Sequence, residues 1–303
     1  MKATHTFSLE SAAVAATIRD ACITDIRAFK PGNVSTASPG HGMRADDFIA
    51  SADAMAVAIA APIVDVGERI LRAIEATRKV MPVNTNLGIV LLCAPLAHAA
   101  TARADKPGLR ARLHAVLAGL DVYDAELAYR AIRMAGPGGL GRSDHHDVAQ
   151  PPRVTLREAM DEARERDRIA YQYVTDYRDI FETGLPALHD GLARWRSREW
   201  AAVHAYLIFL ARFADSHIAR KHGDEVAASV SLQARDLSQA LGRSHDPAQE
   251  MPALESFDRQ LKARSINPGT SADMTVATLV AMDLEDSLDK VSQRSRAEAG
   301  ASG

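Results

Sequence analysis

Two short stretches hold residue types whose chemistry belongs together. NPGTSADM, Asn267–Met274, lies between a charged helical pattern and an apolar run. Its Thr270–Asp273 portion has the form of a capping box, in which a hydroxyl accepts a bond from a first-turn amide and the helix dipole favours an acid. Taken alone, that is an ordinary helix start. Asn267-Pro268-Gly269 adds a turn whose backbone amides can converge on an anion at the helix start. Asp273 repels a bare phosphate there, but it serves if Mg²⁺ sits between carboxylate and phosphate oxygens, the usual way that ion is held. The second stretch is DSHIARKHG, Asp215–Gly223, closing a helical stripe of Leu207, Leu210, Ala214 and Ile218. Gly223 reads as the residue that ends a helix, and Arg220 and Lys221 suit its negative end. Asp215 does not fit that reading, because an acid near a helix C-terminus is unfavourable. On a straight helix Asp215 shares a face with His222, while Lys221 points elsewhere and acts from the frayed end.

Two further segments supply groups for the same task. KPGNVS, Lys30–Ser35, is a turn. Its bland reading is a solvated lysine; its functional reading is a lysine carried on rigid backbone toward phosphate, with Gly32 allowing close approach. VNTNLG, Val83–Gly88, is either a plain helix start or a cluster, Asn84, Thr85 and Asn86, suited to hydrogen bonding a base or ribose. Asp144-His145-His146-Asp147 invites a metal reading, yet adjacent loop residues lack structural-zinc spacing. GPGGLG, Gly136–Gly141, follows a helical pattern and lacks a Gly-Lys-Ser/Thr ending, so neither phosphate-loop template applies and it reads as a hinge.

Positioning these groups falls to helices. Apolar residues recur at three- and four-residue spacing almost throughout, with almost no alternating β-branched runs, so the fold class is all-α, a compact bundle of about a dozen helices. The pattern predicts helices near 8–28, 46–61, 64–80, 85–103, 108–118, 122–134, 155–182, 186–195, 199–221, 224–241, 248–264 and 271–289. Two loops dense in Gly, Pro and Ser interrupt them, 30–42 and 136–152, and long loops within compact domains are often functional. One domain over 1–290 with a frayed tail at 291–303 is expected.

The apolar share of 47% among 303 residues is ample for a core, and a net charge of −3 argues against a nucleic-acid or anionic-membrane partner recruited by bulk electrostatics. Any anion must be caught locally. The two cysteines, Cys22 and Cys93, fit buried thiols in a reducing compartment. The N-terminus lacks the basic start and long apolar core of a signal peptide, and the longest apolar stretch, Met55–Val64, is too short to span a bilayer and carries Pro62. A cytoplasmic protein is expected.

KPGNVS, then MRADDF at Met43–Phe48 continuing into Ser51-Ala52, VNTNLG, GLP at Gly184–Pro186, DSHIARKHG and NPGTSADM, in this order and over most of the chain, resemble the triphosphoribosyl-dephospho-CoA synthase family. That resemblance implies an all-α fold and transfer of the triphosphoribosyl part of ATP to a ribose hydroxyl of dephospho-CoA, with release of adenine. It implies Asp215 and Asp273 as catalytic carboxylates holding Mg²⁺ or stabilising cationic charge, and Lys30, Arg220 and Lys221 at phosphate. Gly32, Asn84, Thr85, Asn86, Asn267, Gly269 and Ser271 complete the substrate-binding set, and the partners are ATP and a small-molecule coenzyme precursor, with a homodimer compatible. The chain departs from the family pattern at Ser35 and Gly42, where an Asp is usual, and at Asn86 and Leu87, where His and Lys or Arg are usual. This version resembles a branch found in archaea and methylotrophs, where the same ATP-cleaving step can serve assembly of another coenzyme. A nucleotide or phosphate-ester hydrolase using Asp215 and Asp273 as metal ligands, and a non-catalytic nucleotide-binding module, remain alternatives.

Overall fold

The computed structural model describes residues 8–81, 86–104 and 108–301, and within them it is helical, with no strand and only isolated bridge residues such as Gly40 and Met43. In chain order the helices are α1 (Ser11–Arg27), α2 (Ala45–Ile59), α3 (Val66–Val80), α4 (Leu87–Thr101), α5 (Leu109–Ala118), α6 (Val122–Ala135), α7 (Leu156–Ala163), α8 (Arg168–Val174), α9 (Leu185–Trp195), α10 (Arg198–Arg212), α11 (Ser216–His222), α12 (Asp224–Arg243), α13 (Met251–Ala263) and α14 (Gly269–Ala301). A π-turn, Ile180–Gly184, leads into α9, and a 3₁₀ turn, Pro247–Glu250, leads into α13. None of the helices described is long and apolar enough to cross a membrane.

The centre is α4, apolar on every side and buried from Leu87 to Ala97, as an interior helix must be. It packs on α14, whose residues Val276–Met282 and Leu284 are buried. Pro95 lies inside α4 and cannot donate to the carbonyl of Leu91. The buried Tyr173 hydroxyl donates to that oxygen at 2.7 Å, and the Tyr177 hydroxyl donates to the Leu92 oxygen at 3.0 Å, so the broken ladder is repaired from outside the helix. Buried apolar residues from Leu9 to Leu288 form one continuous cluster. Cys22 is half-buried and Cys93 buried, both free thiols whose pKa burial pushes up.

Two expected helices are broken, and both breaks are made by an aspartate. The run 155–182 stops at Ala163; Asp167 then caps α8 by accepting from the amides of Ile169 and Ala170, and the chain leaves α8 through Asp176 and Tyr177 at φ 51° and 56°. The run 199–221 stops at Arg212, Phe213 is extended, and Asp215 starts α11. Its carboxylate accepts from the amides of His217 and Ile218 at 2.9 and 3.1 Å. Asp215 therefore sits where the helix dipole favours an acid, which corrects the expectation of an acid stranded near a helix end. Helix α14 begins two residues before the expected start at 271 and continues to Ala301.

Candidate functional site

Five of the six motif segments meet around one cavity of about 1110 Å³, and GLP, Gly184–Pro186, does not border it. Asn33, Asn86, Gly88, Arg220, Lys221, Asn267, Gly269 and Asp273 border it, together with Asp25, His41 and His217. Lys30, Gly32, Asp215 and Ser271 lie behind its wall, and Asn84 and Thr85 fall outside the described residues.

Two glycines show how closely these segments are fitted. Gly88 is the second residue of α4, and a Cβ there would stand 2.0 Å from Asp273 Oδ2 and 2.6 Å from its Cγ. Only a residue without a side chain leaves room for that carboxylate against the start of α4. Gly269 does the same for His217, whose Nδ1 lies 2.2 Å from where a Cβ would stand. VNTNLG is thus shaped around NPGTSADM, and NPGTSADM around DSHIARKHG.

Asp273 is partly exposed on the cavity wall, and its pKa is raised well above the usual carboxylate range, first by burial and then by Asp215, Asp25 and Asp167, against the pull of Lys30. Asp25 is the residue that the sequence reading missed. It is 7% exposed, borders the cavity, and offers Oδ2 to the Lys30 ammonium at 2.6 Å, while its Oδ1 is buried with no hydrogen-bond partner. Burial raises its pKa despite the ion pair. A signal existed: Val14, Ile18 and Ala21 form the buried stripe of α1, and Asp25 takes the next position of that stripe.

Lys30 does not reach toward a phosphate. Its side chain is fully enclosed, bound to Asp25 and, at 3.1 Å, to Asn33 Oδ1. The reason is the turn itself: Tyr206 donates to the Pro31 carbonyl at 2.6 Å and the Gly32 amide donates to the buried Asp258 carboxylate at 2.7 Å, which pulls KPG inward against α10 and α13. Gly32 therefore closes a structural turn. Asn33 Nδ2 donates to Asn267 Oδ1 at 2.9 Å and joins the first motif to the last.

Asp215 is 2% exposed, and both of its oxygens are occupied. Oδ1 takes the two α11 amides, and Oδ2 takes the Ser271 amide and hydroxyl, each at 2.8 Å. Such a carboxylate has little capacity left for a metal ion; it ties the start of α11 to the start of α14. Thr270 does not cap its own helix, since its hydroxyl accepts from the His217 amide at 3.2 Å. The His217 imidazole faces the cavity, with its pKa pushed down to about 3 by burial first and then by Lys221, Arg220, His41 and His222.

Arg220 pairs with Asp167 at 3.3 Å and donates to the Gly138 carbonyl at 3.2 Å. Lys221, exposed and bordering the cavity, makes no hydrogen bond or ion pair among the described residues. Asn86 begins α4 with its amide nitrogen on Thr77 Oγ1 at 3.0 Å. Gly42, Asn86 and Leu87, three positions that depart from the family pattern, border the cavity, and Ser35 is buried. In the Asp144–Asp147 cluster, Asp147 accepts from the amides of Ser143 and Ala149, both at 2.7 Å, which closes a turn. Among the described residues no three Asp, Glu, His or Cys side chains converge on a metal position. A cation here would be held by Asp273 and the unpartnered oxygen of Asp25, with its remaining ligands from a substrate, which is how Mg²⁺ is usually bound.

A protein of Citrobacter koseri that bears the provisional name 2-(5''-triphosphoribosyl)-3'-dephosphocoenzyme-A synthase is 30% identical over 99 residues, 33% of this chain and 32% of that protein. The match thus spans about a third of that relative's length. A crystal structure from Archaeoglobus fulgidus, provisionally named a triphosphoribosyl-dephospho-CoA synthase, superposes with a TM-score of 0.61 at 25% identity, covering 78% of this chain and 98% of that one. The profile of the ATP:dephospho-CoA triphosphoribosyl transferases matches residues 11–292. The chain belongs to the ATP:dephospho-CoA triphosphoribosyl transferase family.

Proposed function

We propose that the chain transfers the triphosphoribosyl part of ATP to a hydroxyl of a dephospho-CoA-type acceptor and releases adenine. Family membership over residues 11–292 supports the reaction type. The observation that carries the reading is the chemistry of the cavity lining: Asp25 and Asp273 supply carboxylates and Arg220 and Lys221 supply cations to the same space. Breaking the bond between ribose C1′ and adenine N9 builds positive charge on the ribose, which carboxylates stabilise, while the triphosphate needs cations. At about 1110 Å³ the cavity exceeds the roughly 300–1,000 Å³ of single-ligand pockets, which favours nucleotide and acceptor bound together.

Asp273 and Asp25 are the residues suited to hold Mg²⁺, which when bound neutralises phosphate charge. Lys30 balances the charge of Asp25 from behind the cavity wall by binding Oδ2. Asp215 acts as a positioning residue, because it fixes the segments that carry His217, Arg220 and Asp273. Asn33, Asn86 and Asn267 supply amides for orienting the nucleotide.

Incubation of the purified protein with MgATP, with and without dephospho-CoA, followed by chromatography of the bases and nucleotides, tests the reading. Adenine that appears only with acceptor supports it. ADP or phosphate without adenine points to a hydrolase, and unaltered ATP with measurable binding points to a non-catalytic nucleotide module.

A further inference from the structure

The glycine-rich segment between α6 and α7, which the sequence reads as a hinge, lies along the cavity. Residues 136–143 all border it. Gly136, Gly139 and Gly141 adopt φ of 58°, 75° and 70°, a left-handed region that glycine enters without steric cost. Leu140 closes a turn over Gly138 and Gly139, and among the described residues none of the backbone N–H groups of Gly138, Gly139, Gly141 and Arg142 has a protein acceptor. The Arg142 guanidinium is likewise unpaired, and Asp147, the acid whose charge it feels, has its oxygens taken by Ser143 and Ala149.

The rest of the loop is firmly held, which makes this contrast specific. Tyr129 donates to the His146 carbonyl at 2.6 Å, Arg133 donates to the Val148 carbonyl, and Arg166 donates to Ser143 Oγ at 3.0 Å. Apart from its own turn, the strap 138–142 has one hydrogen bond among the described residues, from Arg220 to the Gly138 carbonyl. It nevertheless lies directly on the cationic end of α11: a Cβ on Gly139 would stand 2.8 Å from the Arg220 carbonyl, and one on Gly138 would stand 3.1 Å from Lys221 Cε. Free amides, an unpaired guanidinium and an unpaired ammonium therefore border the same cavity.

We propose that this strap, with Arg142 and Lys221, forms a subsite for a phosphoanhydride chain in the cavity that Asp25 and Asp273 also border. Resting on the transferase reading, this subsite serves either the triphosphate of ATP or the diphosphate of the acceptor. Consecutive backbone amides and charged donors are the groups that such oxygens take. The chemistry is binding alone, so no bond changes in the strap.

Isothermal titration of the full chain with tripolyphosphate, MgATP and dephospho-CoA, each separately, tests the subsite, alongside hydrogen exchange of the peptide covering 138–142. Arg142→Gln should weaken at least one of the three by about tenfold, the scale of one lost charge-assisted bond. Arg72→Gln, the same charge change at a residue paired with Glu68 on α3 and away from the cavity, should leave all three affinities unaltered. Weakening with tripolyphosphate and MgATP assigns the strap to ATP; weakening with dephospho-CoA alone assigns it to the acceptor. Exchange at 138–142 should slow with the same ligand. If no ligand binds the wild type, or if Arg142→Gln binds all three as tightly as Arg72→Gln with exchange unaltered, the subsite is wrong. If binding depends on Arg142 while no adenine is released, the subsite stands and the transferase reading falls.

Discussion

The fit of Gly88 to Asp273 makes the sharpest prediction. Gly88 lies in the first turn of α4, where replacing glycine by alanine favours the helix by up to about 1 kcal/mol on propensity alone. The new Cβ, however, would stand 2.0 Å from Asp273 Oδ2, 2.6 Å from Asp273 Cγ and 2.7 Å from Ile169 Cδ1. Ile169 can turn a terminal methyl away. Asp273 must move its carboxylate by more than 1 Å to restore ordinary carbon–oxygen separation, and overpacking of this kind costs about 1–3 kcal/mol. Gly88→Ala should therefore destabilise the wild type by about 1–2 kcal/mol once propensity is offset. In an Asp273→Ala background, where the obstructing carboxylate is gone, the same change should be neutral or stabilising. Urea titration of wild type, both single variants and the double variant gives the coupling directly, and it should reach about 1–2 kcal/mol. Equal destabilisation in both backgrounds would refute the close approach. Adenine formation should fall by about a hundredfold in Gly88→Ala, because the carboxylate is displaced by roughly 1 Å from its working position.

Other perturbations separate scaffold from chemistry. Asp215→Asn keeps the shape but turns an N–H toward two of the four donors on Asp215, so it should cost about 3 kcal/mol in urea unfolding. Wild-type stability in that variant would show that those bonds are dispensable. Lys30→Met leaves the Asp25 charge buried beside a hydrocarbon and should cost about 3 kcal/mol or more, and Lys30→Met/Asp25→Asn should recover part of it; no recovery would mean that the ion pair is not what matters. His204 is buried, and burial holds its pKa below the ordinary value against the opposing pull of Asp190. Its folded pKa is the lower one, so the unfolded chain takes up the proton first and stability is lost as pH falls below about 6.5. Relative to His204→Gln, the wild type should lose up to about 1.4 kcal/mol per pH unit below that point, read from urea titrations at several pH values; a pH-independent difference would remove His204 from the acid response.

Much of the scaffold could be read from the chain, because α3, α6 and α12 keep an amphipathic period and α4 and α14 carry long apolar runs. The breaks at Asp167 and Asp215 could not be read. Each stands inside a helical pattern, and a capping aspartate looks like a solvated one until its amide partners are known. The same blindness misplaced the role of Asp215, whose second oxygen binds Ser271 from a distant part of the chain. Asp273, Arg220, Lys221, Asn86 and Asn267 were legible as groups for one cavity because motif chemistry is local, and all five border it. Lys30 was misread for a physical reason: a lysine in a Pro-Gly turn is usually solvated, and here Tyr206 and Asp258 draw the turn into the core. Asp25 left only one trace, an acid in a buried stripe. The strap at 138–142 could not be distinguished from a hinge by glycine content, because its placement against Arg220 and Lys221 is a tertiary fact.

The most direct measurement of the central claim is mass spectrometry of the acceptor after incubation with MgATP, with adenine quantified in the same samples. The account predicts an adduct heavier than dephospho-CoA by ATP less adenine, formed in equal amount with free adenine by the wild type and absent from Asp273→Asn and Asp25→Asn variants that remain folded. An unmodified acceptor alongside ADP or phosphate, or full turnover by both variants, would contradict it.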